Sequence, residues 1–296
     1  MRFRAPGKSF RGAAAAIAVR FGLPCHAADL NHGLWVWHGS AVLAAADGAA
    51  KLRDYCQSRG VNEVYLAVSD HGAMVLDRRV IDVIHRLHAS NIRVEALLSS
   101  DSADEAGRHR DKLIAQVHAV AGFNRENPGS RFDGVHLDIE PQQRPENKGP
   151  GNLIFLPALV QTYRAARAAA EGLSVDADIQ TKLLKGSSTE RRELFESLPR
   201  FTLMLYELET PDAHRDDAAK TQQVQSASRR FLAMAYADLP AGGMAKLSVA
   251  LRTPDYGAEL PAMLNALDEA NRSNVHYGGW AQHAYNDLLS ARLARR

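Results

Sequence analysis

Eight times after residue 28 the chain runs a short β-branched or aromatic segment into a longer Ala- and Leu-rich one. The short segments predict strands at 33–37, 62–68, 92–98, 133–139, 173–179, 202–207, 245–251 and 274–280. Helical patterns fill the intervals and follow the last strand, in "AQHAYNDLLSARLARR". Strands separated by helices pair in parallel, because a crossover of a dozen or more residues is needed to return the chain to the same end of a sheet. Eight such units in about 260 residues fit an α/β fold of the closed (β/α)8 barrel type, with an open doubly wound sheet as the alternative. With 46% hydrophobic residues in 296, the chain has the material for one sizeable core.

The first 27 residues do not fit this alternation. They combine a basic start, an Ala-rich apolar run interrupted by Arg20 and an Ala-rich end, the pattern of a secretion signal cleaved after Ala27. The expected organisation is therefore a leader, 1–27, and a single barrel domain, 28–296, destined for the periplasm or the exterior. Losing the leader's five basic residues leaves 31 basic against 34 acidic and turns a formal charge of +2 into −3. A basic pI that resides in the leader is poor support for nucleic-acid binding. Cleavage also removes Cys25 and leaves Cys56, so neither a disulfide framework nor a thiolate metal site is expected. Past the leader no apolar run is long enough to cross a bilayer.

Several function classes fall away for want of their motifs. "HGLWVWHGS" after the first strand has no GxGxxG, no GxxxxGK[ST] occurs anywhere, and no GxSxG elbow is present, so nucleotide cofactors and serine hydrolase chemistry are not expected. Twelve histidines, with His32, His38, His136 and His276 on or beside strands, raise a metal site, but no HExxH or comparable spacing accompanies them. The expectation is no metal and no cofactor.

The fourth strand carries the chemistry. In "DGVHLDIE", 133–140, side-chain alternation puts Val135, Leu137 and Ile139 on one face and His136, Asp138 and Glu140 on the other. In a barrel the polar set faces the axis and climbs toward the C-terminal mouth. Two carboxyl groups so close on one strand couple, and burial pushes their protons on more tightly. Glu140, before Pro141, is best placed to meet a substrate, and a glutamic acid that keeps its proton suits the protonation of a departing sugar oxygen.

"DGVHLDIE" resembles the D-G-x-D-x-D-x-E signature of the glycoside hydrolase family 18 chitinases, which lies on the fourth strand of a (β/α)8 barrel. Asp133, Gly134, Asp138 and Glu140 match, while His136 stands where the family has its first inner aspartate. The resemblance implies Glu140 as acid/base and Asp138 as the group orienting the substrate's acetamido group, whose carbonyl oxygen acts as nucleophile. "MLYE", 204–207, resembles the family's M-x-Y-D, implying Tyr206 as a contact to the acetamido group and Glu207 at the same subsite. Trp280 in "YGGW" resembles the tryptophan that floors the sugar subsite.

Further inward candidates are Trp35 and Trp37, one or both lining the mouth, together with Tyr65, Glu95, Asp176, Asp178 and Gln180. Asp178 or Gln180 is placed to contact substrate, with inward carboxylates also able to serve as partners of arginines such as Arg252. His136 is counted with Trp280, Glu207, Asp178 and Trp37 among the groups around the substrate. A non-catalytic carbohydrate-binding barrel remains open beside the glycosidase, and a metal-dependent hydrolase less so. The expected partner is a polysaccharide or oligosaccharide, with peptidoglycan or an acetylated exopolysaccharide suited to the envelope. About twenty residues between the seventh and eighth strands leave no room for a long insertion, so a shallow groove is expected.

Overall fold

The computed structural model describes residues 30–70, 73–105, 107–149, 151–205, 217–239 and 245–285. The predicted leader, Tyr206, Glu207 and most of the last predicted helix lie outside the described residues.

Eight strands close into a parallel barrel: β1 (Asn31–Val36), β2 (Glu63–Ala67), β3 (Arg93–Ser100), β4 (Gly134–Ile139), β5 (Ser174–Gln180), β6 (Arg200–Met204), β7 (Lys246–Arg252) and β8 (Tyr277–His283). Each pairs with the next in sequence, and β8 pairs with β1 to complete the ring. The helices around it include α1 (Gly39–Ala44), α2 (Gly48–Arg59), α3 (Arg78–His88), α4 (Arg108–Glu126), α5 (Leu156–Ala169), α6 (Ser188–Ser197), α7 (Asp217–Tyr236), α8 (Thr253–Tyr256) and α9 (Leu260–Asn271). The link between β7 and β8 holds α8, α9 and a short 3-10 turn, with no inserted domain.

The alternation seen in the sequence is what separates the two sides of this sheet. Outward residues such as Leu34, Val64, Val94, Val135, Leu137, Val175, Leu203 and Val249 join the helices in one continuous core. Each fully buried aliphatic side chain there contributes about 1.5–3 kcal/mol. Cys56 packs in that core from α2, where burial pushes its thiol up to about 12 and leaves it unreactive. Inward residues form a second, smaller cluster on the axis, with Trp35, Tyr65, Leu97, Met204 and Ala281 among them. Gly134 opens β4 because a β-carbon there would lie 2.9 Å from both Glu95 Oε1 and the Ser174 carbonyl oxygen. The site thus starts from a strand that can approach its neighbours closely at its base.

β8 departs from simple alternation. Its pairing with β7 shifts register between Tyr277 and Gly279, a β-bulge that accommodates one extra residue. Gly279 sits at φ +118°, and a β-carbon there would be 2.1 Å from the Asn31 carbonyl oxygen, so glycine is required at the bulge. The bulge reverses the phase of the strand. Tyr277 and Trp280 both join the outer core, while Ala281 faces the axis.

Candidate active site

Beside its apolar cluster the inner face of the barrel carries charges arranged in layers. At the N-terminal end, Arg200 opens β6 and points inward. Its Nη1 lies 3.0 Å from Glu63 Oε1, and its Nη2 meets Glu95 and, at 2.9 Å, Asp176 Oδ2. Arg93 adds contacts of 3.1 Å to Glu63 and 3.2 Å to Glu95. Burial, then the negative charge of Asp176, pushes the Glu95 carboxyl up to about 7. Asp176 is buried as well, yet the Arg200 and His136 charges hold its carboxyl below the usual range.

His136 occupies the centre of the barrel. Its Nδ1 is 3.3 Å from Asp176 Oδ1 and its Nε2 is 2.9 Å from Asp178 Oδ1. Tyr65 stacks on the imidazole at 3.7 Å, its hydroxyl donating to Glu63 Oε2 at 3.1 Å, and Trp35 meets the ring edge-on at 5.7 Å. Burial opposes a charge on His136, but Asp178 and Asp176 outweigh it and raise its pKa well above the ordinary histidine value. The two aspartates thus favour the protonated imidazole, which has Tyr65 stacked on it and Trp35 meeting it edge-on.

Glu95, His136 and Asp176 bring one ligand-capable atom each within 4.8 Å of one another. Arg200 already pairs with both carboxylates, and the Asp176 and Asp178 charges favour a protonated His136, a form that offers a metal no lone pair. The donor set is that of an ion-pair network, not of a cation's coordination shell.

Above this layer the axis opens. Asp138 follows His136 on the inner face of β4, buried but for 7% of its surface, with Oδ1 lacking a partner among the described residues. Burial, then the charges of Asp178 and Glu140, pushes the Asp138 carboxyl well above the usual carboxylate range. Ser99, paired in register with Asp138, is already exposed. Glu140 stands at the end of β4, half-buried. Its Oε1 accepts from Gln180 Nε2 at 2.7 Å and from Gln142 Nε2 at 3.4 Å, and its Oε2 from Gln143 Nε2 at 3.4 Å. Burial raises its pKa, the Gln180 donor pulls the other way, and Asp178 adds to the rise. The loop after Glu140 is tied down on both sides. Arg144 bonds Asp104 at 2.8 Å and Glu105 at 2.6 Å in the loop after β3, and Lys182 after β5 donates to the Asn147 carbonyl at 2.6 Å. Such ties hold the carboxyl in place before any ligand arrives.

Asp138, Glu140, Gln180 and Trp37 all lie on the inner face at or near the C-terminal mouth, with Trp37 part-buried beside His283 at 6.0 Å. Three expected substrate contacts are placed elsewhere. His136 is 0% exposed and precedes Asp138 on the inner face of β4, beneath it on the axis. Asp178 is 2% exposed, with Oδ1 against His136 and Oδ2 accepting from Trp35 Nε1 at 3.1 Å, which makes it an internal anchor. Trp280 points to the helices because of the β8 bulge and stacks on His32 at 4.1 Å and 7°. The arginines that pair with Glu63, Glu95 and Asp176 are Arg200 and Arg93, while Arg252 is exposed at the far end of β7. Arg200 was legible in the sequence only as a residue two positions before Thr202, in phase with Met204.

No family model matches the chain, and no curated protein matches it. Solved structures do share its fold. A chitinase from Bacteroides thetaiotaomicron aligns over 88% of this chain and 93% of its own at 14% identity, with a TM-score of 0.54. A chitinase from Chromobacterium violaceum aligns over 86% and 94% at 15% identity and a TM-score of 0.50. GH5_18 from Streptomyces cattleya, solved in complex with GlcNAc, aligns over 86% and 71% at 12% identity and a TM-score of 0.58. The barrel thus resembles several glycoside-hydrolase folds, and at these identities the likeness is one of fold.

Proposed function

We propose that this chain is an exported glycosidase that cleaves bonds next to N-acetylated hexosamines with retention of configuration, in the manner of glycoside hydrolase family 18. The observation that carries the reading is the Glu140 carboxyl: inner face, mouth end of β4, half-buried, shifted toward its protonated form and fixed by three glutamine side chains. An acid held there protonates the leaving oxygen, a contribution of about 10²–10⁴-fold in rate. Asp138, whose Oδ1 has no protein partner among the described residues, accepts from the acetamido N–H while the acetamido carbonyl attacks the anomeric carbon. Glu140 then takes a proton from water, which opens the cyclic intermediate. Tyr206 and Glu207 complete the acetamido subsite in this reading, and Trp37 supplies the aromatic wall at the mouth. The substrate is an acetylated glycan of the cell envelope, met in the periplasm or outside.

Trp280's outward packing favours a second reading, a barrel that binds carbohydrate without cleaving it, since the mouth loses its expected tryptophan floor. Acetylated oligomers incubated with wild type and with Glu140→Gln separate the two. Turnover by wild type, lost in Glu140→Gln with binding retained, supports the glycosidase. Equal binding with no turnover in either supports the binder.

A further inference from the structure

Asp138 and Asp178 are neighbours across β4 and β5. The strands pair from Gly134 with Ser174 through Leu137 with Ala177, so the next residues, both on the inner face, stand side by side about 5 Å apart along the hydrogen-bonding direction. Both are buried, and two carboxylates in that position are far cheaper with one proton between them than with none. The donors around them decide which acid keeps the charge. Asp178 has Trp35 Nε1 donating to Oδ2 at 3.1 Å, and its Oδ1 stands 2.9 Å from His136 Nε2 as an ion pair without hydrogen-bond geometry. Asp138 Oδ1 has no hydrogen-bond partner among the described residues and no cation as near as His136 is to Asp178, and Asp138 is faced by Asp178 from β5, Glu140 and His136 from its own strand, and Asp101 from the loop after β3.

We propose that Asp178 is a positioning residue acting through Asp138: anchored by His136 and Trp35, it is the fixed carboxylate beside which Asp138 holds a proton, and it takes that proton when positive charge develops on a bound acetamido group. The resting arrangement is independent of the proposed function, and the proton movement rests on it. In that step the O–H bond on Asp138 breaks as one forms on Asp178, leaving Asp138 as the carboxylate facing the cationic ring intermediate. The proton returns when water opens the ring, and His136 keeps both of its own throughout. His136 is then the counter-ion that allows this second acid to stand on the neighbouring strand.

Carbon-13 shifts of the aspartate carboxyls, followed with pH in the ligand-free protein, test the resting arrangement. Asp138→Asn identifies the Asp138 signal. In wild type that signal titrates well above the ordinary carboxylate range, and in Asp178→Asn it moves down toward it. Trp35→Phe, which removes one donor from Asp178 and keeps the charge, provides the same test if Asp178→Asn does not fold: the Asp178 titration rises and that of Asp138 falls. An Asp138 titration unchanged in whichever variant folds overturns the proposal. Because no substrate is present, absence of turnover in wild type with these shifts intact rejects the glycosidase reading alone. With turnover, the pH profile of kcat in Asp178→Asn or Trp35→Phe is displaced while KM changes less, a split that loss of packing alone does not produce.

Discussion

Replacing Arg200 by methionine removes the cation that three buried carboxylates share. Glu63 and Glu95 are fully sealed and Asp176 is 2% exposed, so each loses its principal partner with no water to replace it. Arg93 stays on Glu63 and Glu95, but its side chain is 46% exposed and solvent weakens its hold. Breaking a buried ion pair from one side costs about 3–5 kcal/mol. For a domain of this size each kcal/mol is worth about 2–4 °C, so the midpoint falls by about 6–20 °C near pH 8. The loss depends on pH with a definite sign. Glu95, already up to about 7, holds a proton in the folded state that the unfolded chain releases near 4.5, so its contribution to stability declines as pH rises between those values. Without Arg200, Glu95 and Glu63 rise further and Asp176 loses what holds it below its ordinary value, so all three accept protons more readily at acid pH. The variant should therefore be less handicapped at pH 5.5 than at pH 8. Urea unfolding followed by circular dichroism at the two pH values measures it. Equal losses at both, or a loss below about 1 kcal/mol, the scale of an exposed pair, would refute the reasoning.

Trp37→Ala should weaken binding of an acetylated oligomer by about 1 kcal/mol or more with little change in melting temperature, whereas Trp280→Ala should cost about 3–5 kcal/mol of stability and leave calorimetric affinity unchanged. Gly279→Ala, forced into a positive φ against the Asn31 carbonyl, should lose about 1–3 kcal/mol, read as a lower urea midpoint with the same slope. Zinc addition and chelation should both leave the thermal midpoint of the purified protein where it was, because Arg200 and the His136 proton occupy the place of a cation; a zinc-induced rise of several degrees would contradict that.

Much of this was legible from residue order because a parallel barrel writes its two faces as a period of two. Val135, Leu137 and Ile139 against His136, Asp138 and Glu140 gave the orientation of β4, and all eight strands lie within three residues of where the pattern put them. Alternation cannot report depth. His136 and Asp178 share a face with Glu140 and Gln180, and only the closing of the ring shows that the first two are sealed and the latter two reach the mouth. Phase fails wherever a bulge intervenes, as Trp280 demonstrates. The adjacent Gly278 and Gly279 were the available signal, since paired glycines in a strand mark a bulge or a close backbone approach. Arg200 escapes the pattern because the β-branched and aromatic run starts β6 at Thr202, two residues too late to include its inward cation.

The stereochemistry of the first product tests the central claim most directly. With a β-linked acetylated oligomer, proton NMR recorded within the first minutes should show the β-anomer of the new reducing end, as Glu140 protonation and attack by the acetamido carbonyl require. Initial formation of the α-anomer would contradict the account, and so would equal turnover by wild type and Glu140→Gln.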